Sequence, residues 1–175
     1  MREVHMMDEE VLFLKDIALF KDLPDDKLGK VISIVRKVTF RENEIIMQEG
    51  DVGDTMYIIL DGTVEVAKSL VLGNLDDEST EKNKVFTRLS GKHHAVFGEI
   101  ALLEESKRTA TIKAVTDCLM YEMKKDDFLN LAAKDYELGY RILLNLSRIV
   151  SARLRKADED TVKLSTALSI VLQET

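Results

Sequence analysis

Between Phe97 and Ile112 the chain reads FGEIALLEESKRTATI, and here residue types and spacing could do chemistry. A glycine, one acid, a short helix-compatible run and an arginine are set among apolar residues. Gly98 has no Cβ, so the backbone can adopt left-handed dihedrals and come close to a ligand. Ile100 to Leu103 can form one helical turn, whose leading N–H groups point outward with partial positive charge and suit a phosphate. Arg108 adds a full charge on a planar fork of donors, a better match to phosphate oxygens than the point charge of Lys107. Glu99 has the wrong sign for phosphate. Its partner is a hydroxyl donor, and a ribose 2′-OH beside the phosphate fits, so one sugar phosphate would satisfy every group. The bland alternative is a surface loop with a bend glycine and a solvated Glu/Arg pair.

The whole string, however, resembles the phosphate-binding cassette of the cyclic nucleotide-binding domain family, whose members include the catabolite activator protein, regulatory subunits of cyclic-AMP-dependent kinase and cyclic-nucleotide-gated channels. The resemblance implies that Glu99 binds the ribose 2′-OH and Arg108 the cyclic phosphate. It places backbone donors at Gly98, Ile100, Ala101 and Ala110, puts Thr109 at the small position after the arginine, and begins the element with Phe97.

Elsewhere the composition excludes several classes. The 175 residues fit one domain, or a small domain with an extended element. The net charge of −7 repels nucleic acid and anionic membranes at long range. Cys118 is the single cysteine, so no internal disulfide forms and a reducing compartment is expected. The first residues, MREVHMMDEE, lack the apolar core of a signal peptide, and no apolar run reaches transmembrane length. A cytoplasmic protein is expected, with no nucleic-acid or membrane partner.

The elements that must position the cassette follow from periodicity. Residues 1–35 read as flanking helices: Asp8 to Phe20 has amphipathic spacing, and Pro24-Asp25-Asp26 opens a second helix carrying Leu28, Val31 and Ile32. Residues 36–124 shift toward a period of two, with short β-rich runs at Val38–Phe40, Glu44–Gln48, Thr55–Leu60, Thr63–Val66, Val85–Leu89, Thr109–Val115 and Cys118–Met123. Asp61-Gly62 predicts a type I′ hairpin. Glu49-Gly50-Asp51 and Gly53-Asp54 mark another tight turn, and Leu72 to Lys84 is polar enough to read as a flexible excursion. Residues 125–175 are helical. From about Tyr136, Leu143, Val150, Leu154, Ala157, Thr161, Leu164, Leu168 and Val171 fall on one heptad seam with Ser147 as a polar member. Such a seam predicts a homodimer, the alternative being a helix broken near Ala157–Asp160 and folded back on the body. The fold class is mainly β: a double-stranded β-helix, or jelly-roll-like β-roll, with N-terminal helices and a long C-terminal helix.

The resemblance implies a non-enzymatic sensor that binds a cyclic nucleotide, needs no cofactor, and signals through its C-terminal helix to an effector protein that the residues do not identify. The chain stops soon after that helix, which predicts a stand-alone module without a helix-turn-helix domain. Cyclic AMP is the first expectation. Cyclic GMP is the alternative, because Thr109 offers a hydroxyl to a guanine amino group and Asp158, placed near the base, could accept from either purine. Asp158 also reads simply as a solvated polar residue. Two other classes compete: a degenerate, ligand-free dimer scaffold, and a cupin-type metalloenzyme suggested by His93-His94, for which His5 is the only further histidine.

Overall fold

A computed structural model of the chain describes residues 2–72, 80–104 and 106–173, with side chains over 9–69, 87–104 and 106–172. The mainly β roll with flanking helices is borne out. Helix α1 (Arg2–Lys15) and α2 (Asp25–Ile32) precede strands β1 (Val35–Phe40), β2 (Ile45–Met47), β3 (Thr55–Asp61), β4 (Thr63–Leu72), β5 (Thr80–Ser90), β6 (Val96–Phe97), β7 (Thr111–Ala114) and β8 (Cys118–Lys124). Helices α3 (Lys125–Lys134) and α4 (Tyr136–Gln173) follow.

The strands form two four-stranded antiparallel sheets, ordered β1-β8-β3-β6 and β2-β7-β4-β5. Strand β3 of the first sheet is apolar without a break from Met56 to Leu60. Tyr57 and Ile59 face the interior of the roll with Val64, Phe97, Ile112 and Met120. Met56 and Ile58 point the other way, into a second core with Leu14, Phe20, Leu28, Phe128, Leu138 and Ile142 from the helices. A strand buried on both faces loses the polar alternation of a half-buried one.

Three expectations are corrected. Helix α1 does not run to Phe20: it ends at Lys15, Ile17 is extended (φ −84°, ψ 124°), and Ala18–Phe20 form a separate 3₁₀ turn. The break lets Leu14, Ile17, Leu19 and Phe20 all bury, which one straight helix could not do on a single face. Asp61-Gly62 is not a hairpin, because β3 and β4 lie in different sheets. Gly62 alone takes positive φ (95°), and a Cβ there would stand 2.5 Å from the Asp117 carbonyl oxygen. The dipeptide is a corner where the chain changes sheets. Finally, Thr80–Lys84 is strand: the β4–β5 ladder pairs Lys68 with Lys84 and Leu72 with Thr80, so only residues 73–79 of the expected excursion lie outside the described residues. Ladder bonds are made by the backbone, and polar side chains do not prevent them.

Helix α4 is continuous over 38 residues, about 57 Å at 1.5 Å per residue. Its first half packs on the body through Leu138, Ile142 and Leu146, and Asn145 Nδ2 donates to the carbonyls of Leu19 (3.2 Å) and Lys21 (2.8 Å). From Ser151 to Leu172 every residue is exposed. No helix among the described residues is long and apolar enough to cross a membrane.

Candidate functional site

The roll encloses a cavity of about 370 Å³, lined on one side by Met47, Val66, Thr87, Leu89, Phe97 and Ile112 and on the other by the cassette. Gly98, Glu99, Ile100, Ala101, Ser106, Lys107, Arg108, Thr109 and Ala110 all reach it, and so does Arg153 from α4. The cassette residues predicted from sequence are therefore brought together around one space. Asp158 is not: it stands exposed on α4, about one and a half turns beyond Arg153.

Gly98 takes φ +74° and opens a short 3₁₀ turn, Glu99–Leu102, in place of the turn expected over Ile100–Leu103. A Cβ on Gly98 would sit 2.9 Å from the Thr55 carbonyl oxygen and 3.1 Å from Arg108 Nη1, so only glycine fits both the dihedral and the space. Of the four amides matched to ligand donors, that of Ala101 is already used: it donates to the Gly98 carbonyl at 3.1 Å, closing the turn. Those of Gly98, Ile100 and Ala110 donate to no acceptor among the described residues.

Arg108 is held from behind. Its amide donates to the Asp51 carbonyl (2.7 Å), its own carbonyl accepts from the Gly50 amide (2.9 Å), and Val52 bridges to Lys107. The Gly50–Asp54 turn is thus the mount of the arginine. Gly53 also makes room for the guanidinium, since a Cβ there would lie 2.4 Å from both Nε and Nη2. Nη2 donates to Thr55 Oγ1 at 2.9 Å. The guanidinium is half-buried and makes no ion pair among the described residues, and burial lowers its affinity for the proton. It stays charged at any pH the fold tolerates. A partly desolvated cation with most of its donors unused among the described residues is suited to an anion.

Glu99 is only 3% exposed, yet its carboxylate is charge-balanced by Arg153, whose Nη1 donates to Oε1. This contact was not legible in the sequence. Arg153 precedes the polar stretch of a helix whose face is ambiguous, 54 residues from its partner, and no local motif marks it. Behind the site Tyr57 stacks on Phe97 at 5.3 Å between ring centres and donates to Glu122 Oε1 at 3.2 Å. Burial, first of several causes, raises the phenol pKa and keeps it neutral.

The paired histidines do something else. His94 takes a left-handed conformation (φ 49°) and its ring meets Phe13 at 5.2 Å, tying the approach to the cassette to α1. Among the described residues no group of three or more His, Cys, Asp or Glu is placed to hold a metal ion. Cys118 is buried, and burial pushes its thiol pKa up, the opposite of an activated thiolate.

Fold and site together define a β-roll that gathers a cation, open amides and a buried carboxylate around one cavity. The model of the cyclic nucleotide-binding domain matches residues 37–135, and the chain belongs to that family. Domains of this family are regulatory modules. Among curated relatives, cGMP-dependent protein kinase 2 of Homo sapiens is 30% identical over 166 residues, covering 90% of this chain and 20% of the kinase. An isozyme 2 form of the Drosophila melanogaster cGMP-dependent kinase is 26% identical, covering 87% of this chain and 13% of its own length. The chain thus spans about a fifth or less of these relatives. Among solved structures, the Thermus thermophilus catabolite activator protein superposes with a TM-score of 0.70 at 25% identity, covering 85% of this chain and 63% of that one. The regulatory domain of Toxoplasma gondii PKA with cAMP shares the fold at a TM-score of 0.67 and 24% identity, covering 83% and 50%.

Proposed function

We propose that this chain is a cyclic nucleotide sensor without catalytic activity of its own, and that 3′,5′-cyclic AMP is its first ligand. One observation carries the reading: Arg108 is half-buried, faces the cavity, and among the described residues its guanidinium hydrogen-bonds only to the Thr55 hydroxyl. In this reading the cyclic phosphate takes the free donors of Arg108 together with the amides of Gly98, Ile100 and Ala110, while Glu99 accepts from the ribose 2′-OH. Ala101 contributes its small side chain to the wall and closes the turn. Phe97 and the apolar side chains of Met47, Val66, Leu89 and Ile112 receive the base, in a setting whose low dielectric strengthens the polar contacts.

Cyclic GMP is the second reading, supported by the hydroxyl of Thr109 at the exposed edge of the cavity and by the similarity to cGMP-dependent kinases. Asp158 joins the site only in a closed form in which α4 tilts over the cavity. The exposed seam of α4, with Leu154 at 61%, Leu164 at 72% and Leu168 at 60% exposure, supports a homodimer formed through this helix. A partnered helix whose root touches the pocket would carry occupancy to an effector protein in the cytoplasm.

Calorimetric titration of nucleotide-free protein with cyclic AMP and cyclic GMP tests the reading. Binding of either in the micromolar range or tighter is expected, and the tighter one identifies the ligand. Binding of neither overturns it in favour of a ligand-free scaffold. Sedimentation of the wild type against Leu164→Asp tests the dimer, which the charge in the seam should dissociate.

A further inference from the structure

One row of side chains crosses the first sheet and ends at the cassette. Arg36 of β1 stands opposite Glu122 of β8, Glu122 opposite Tyr57 of β3, and Tyr57 opposite Phe97 of β6. Residues directly opposite one another in a sheet share a face, so the row lies on the face that Tyr57 and Phe97 turn to the interior of the roll. The Glu122 side chain is 13% exposed and Tyr57 only 7%. Two polar groups are thus kept from water where apolar ones would pack at less cost.

The row feeds a hydrogen-bond chain whose direction is fixed by its ends. Arg108 can only donate, and its Nη2 gives to Thr55 Oγ1 at 2.9 Å. A carboxylate can only accept, and Glu122 Oε1 takes the Tyr57 phenol at 3.2 Å. Thr55 and Tyr57 stand two residues apart on β3, on one face of the strand. With its oxygen accepting from Arg108, the Thr55 hydroxyl has its hydrogen left for the Tyr57 oxygen, whose own hydrogen goes to Glu122. The phenol registers both neighbours: burial is the main cause that raises its pKa, while the Thr55 hydrogen bond and the Arg108 charge pull against it. Hydrogen bonds in such a chain polarise one another. At the far end Arg36 Nη2 donates to the other oxygen of Glu122 from a side chain that is 65% exposed.

Resting on the proposed nucleotide reading, we infer that Tyr57 and Glu122 are positioning residues for phosphate recognition. Through the Thr55 hydroxyl they hold one nitrogen of the Arg108 guanidinium and leave the rest of its fork for the cavity, while Arg36 balances Glu122 so that the charge of Arg108 remains for the ligand. Neither Tyr57 nor Glu122 lines the cavity, and neither touches a ligand atom in this scheme.

The test is calorimetry on wild type, Tyr57→Phe, Thr55→Val and the double variant, using whichever of cyclic AMP and cyclic GMP wild type binds more tightly, with thermal melting to verify that each folds. Tyr57→Phe keeps the ring and its stack on Phe97 and removes only the hydroxyl, so affinity should fall roughly three- to tenfold, the value of one hydrogen bond. Thr55→Val cuts the chain beside the arginine and should lose at least as much. In the double variant Tyr57→Phe should cost nothing beyond Thr55→Val, because the link to Arg108 is already severed. Glu122→Met, which removes the acceptor at the far end, should match Tyr57→Phe. Unchanged affinity in Tyr57→Phe overturns the inference. So does a loss of the same size whether Thr55 is present or replaced, which would assign Tyr57 to the wall behind Phe97. Should the double variant fail to fold, unchanged affinity in Glu122→Met overturns it equally. Wild type that binds neither nucleotide overturns the nucleotide reading, and the inference falls with it.

Discussion

Lys27 and Arg108 are both cations drawn out of water, and they have opposite fates. Lys27, 9% exposed, donates to Asp135 Oδ1 at 2.8 Å and pairs with Glu137 Oε2 at 3.1 Å. Asp135 also takes Lys30 at 2.6 Å and caps the start of α4 by accepting from the Leu138 amide at 3.1 Å. Every charge in that cluster is answered, and its product is architecture: α2 is stapled to the helix that leaves the body. Arg108 is answered by one threonine hydroxyl. A buried charge costs free energy unless it is paired, so a half-buried cation without an ion pair among the described residues is suited to a partner from outside, as the proposed nucleotide reading requires.

The comparison breaks most easily at Arg108. Replacing it with leucine should cost at least a hundredfold in cyclic nucleotide affinity, about 3 kcal/mol, the value of one to two hydrogen bonds to a charged group. Because the arginine offsets its burial within the chain with no ion pair among the described residues and one hydroxyl hydrogen bond, the melting temperature should change little. Calorimetry and thermal melting on the same preparation decide it, and a variant that melts early but binds normally would place Arg108 with Lys27 as architecture.

A finer cut goes through Gly53. Its φ is not in the left-handed region, so alanine is tolerated by the backbone, but the added Cβ would lie 2.4 Å from the guanidinium. The side chain, not the main chain, is the part free to yield. Gly53→Ala should therefore lower affinity by roughly tenfold, the loss of one well-aligned charged contact, with little change in melting temperature. An unchanged affinity would mean that the guanidinium does not need its present seat.

Part of this contrast is legible in the sequence and part is not. The cassette is legible because its chemistry is compressed into sixteen residues in which the glycine, the acid and the arginine have few other joint explanations. The roll follows from short β-rich runs. The Asp61-Gly62 corner is misread because a positive-φ dipeptide encodes a turn and says nothing about which sheet the next strand joins. The end of α1 is misread because Ile17 and Phe20 fit a helical face until the packing requires them both inside. Arg153 and Lys27 are invisible for a common reason: their partners lie 54 and 108 residues away, and only the tertiary fold decides which of many surface-compatible cations is turned inward.

The last prediction isolates charge from capping in the cluster that answers Lys27. Asparagine is as good a helix cap as aspartate, so Asp135→Asn should keep the bond from the Leu138 amide while deleting the charge that pairs with Lys27 and Lys30. Hydrogen bonds from Lys27 and Lys30, in that order, and then from the Leu138 amide hold the Asp135 carboxyl well below the usual carboxylate range. A depressed folded-state pKa contributes stability that is present above the unfolded value, about pH 4, and is lost as pH falls through the folded one. Lys27 is shifted the other way, raised chiefly by Asp135, so its share persists up to its ordinary range above about pH 10 and fades only beyond it. Wild type should therefore be more stable than Asp135→Asn across the neutral plateau. The gap should narrow steadily below about pH 4, while cyclic nucleotide affinity at neutral pH stays the same. Urea melts of both proteins at a series of pH values check it. A gap that stays constant into acid would show that the cluster contributes through shape and not through charge, and an affinity that moved with Asp135 would mean that the staple at the root of α4 and the pocket above it are one mechanism.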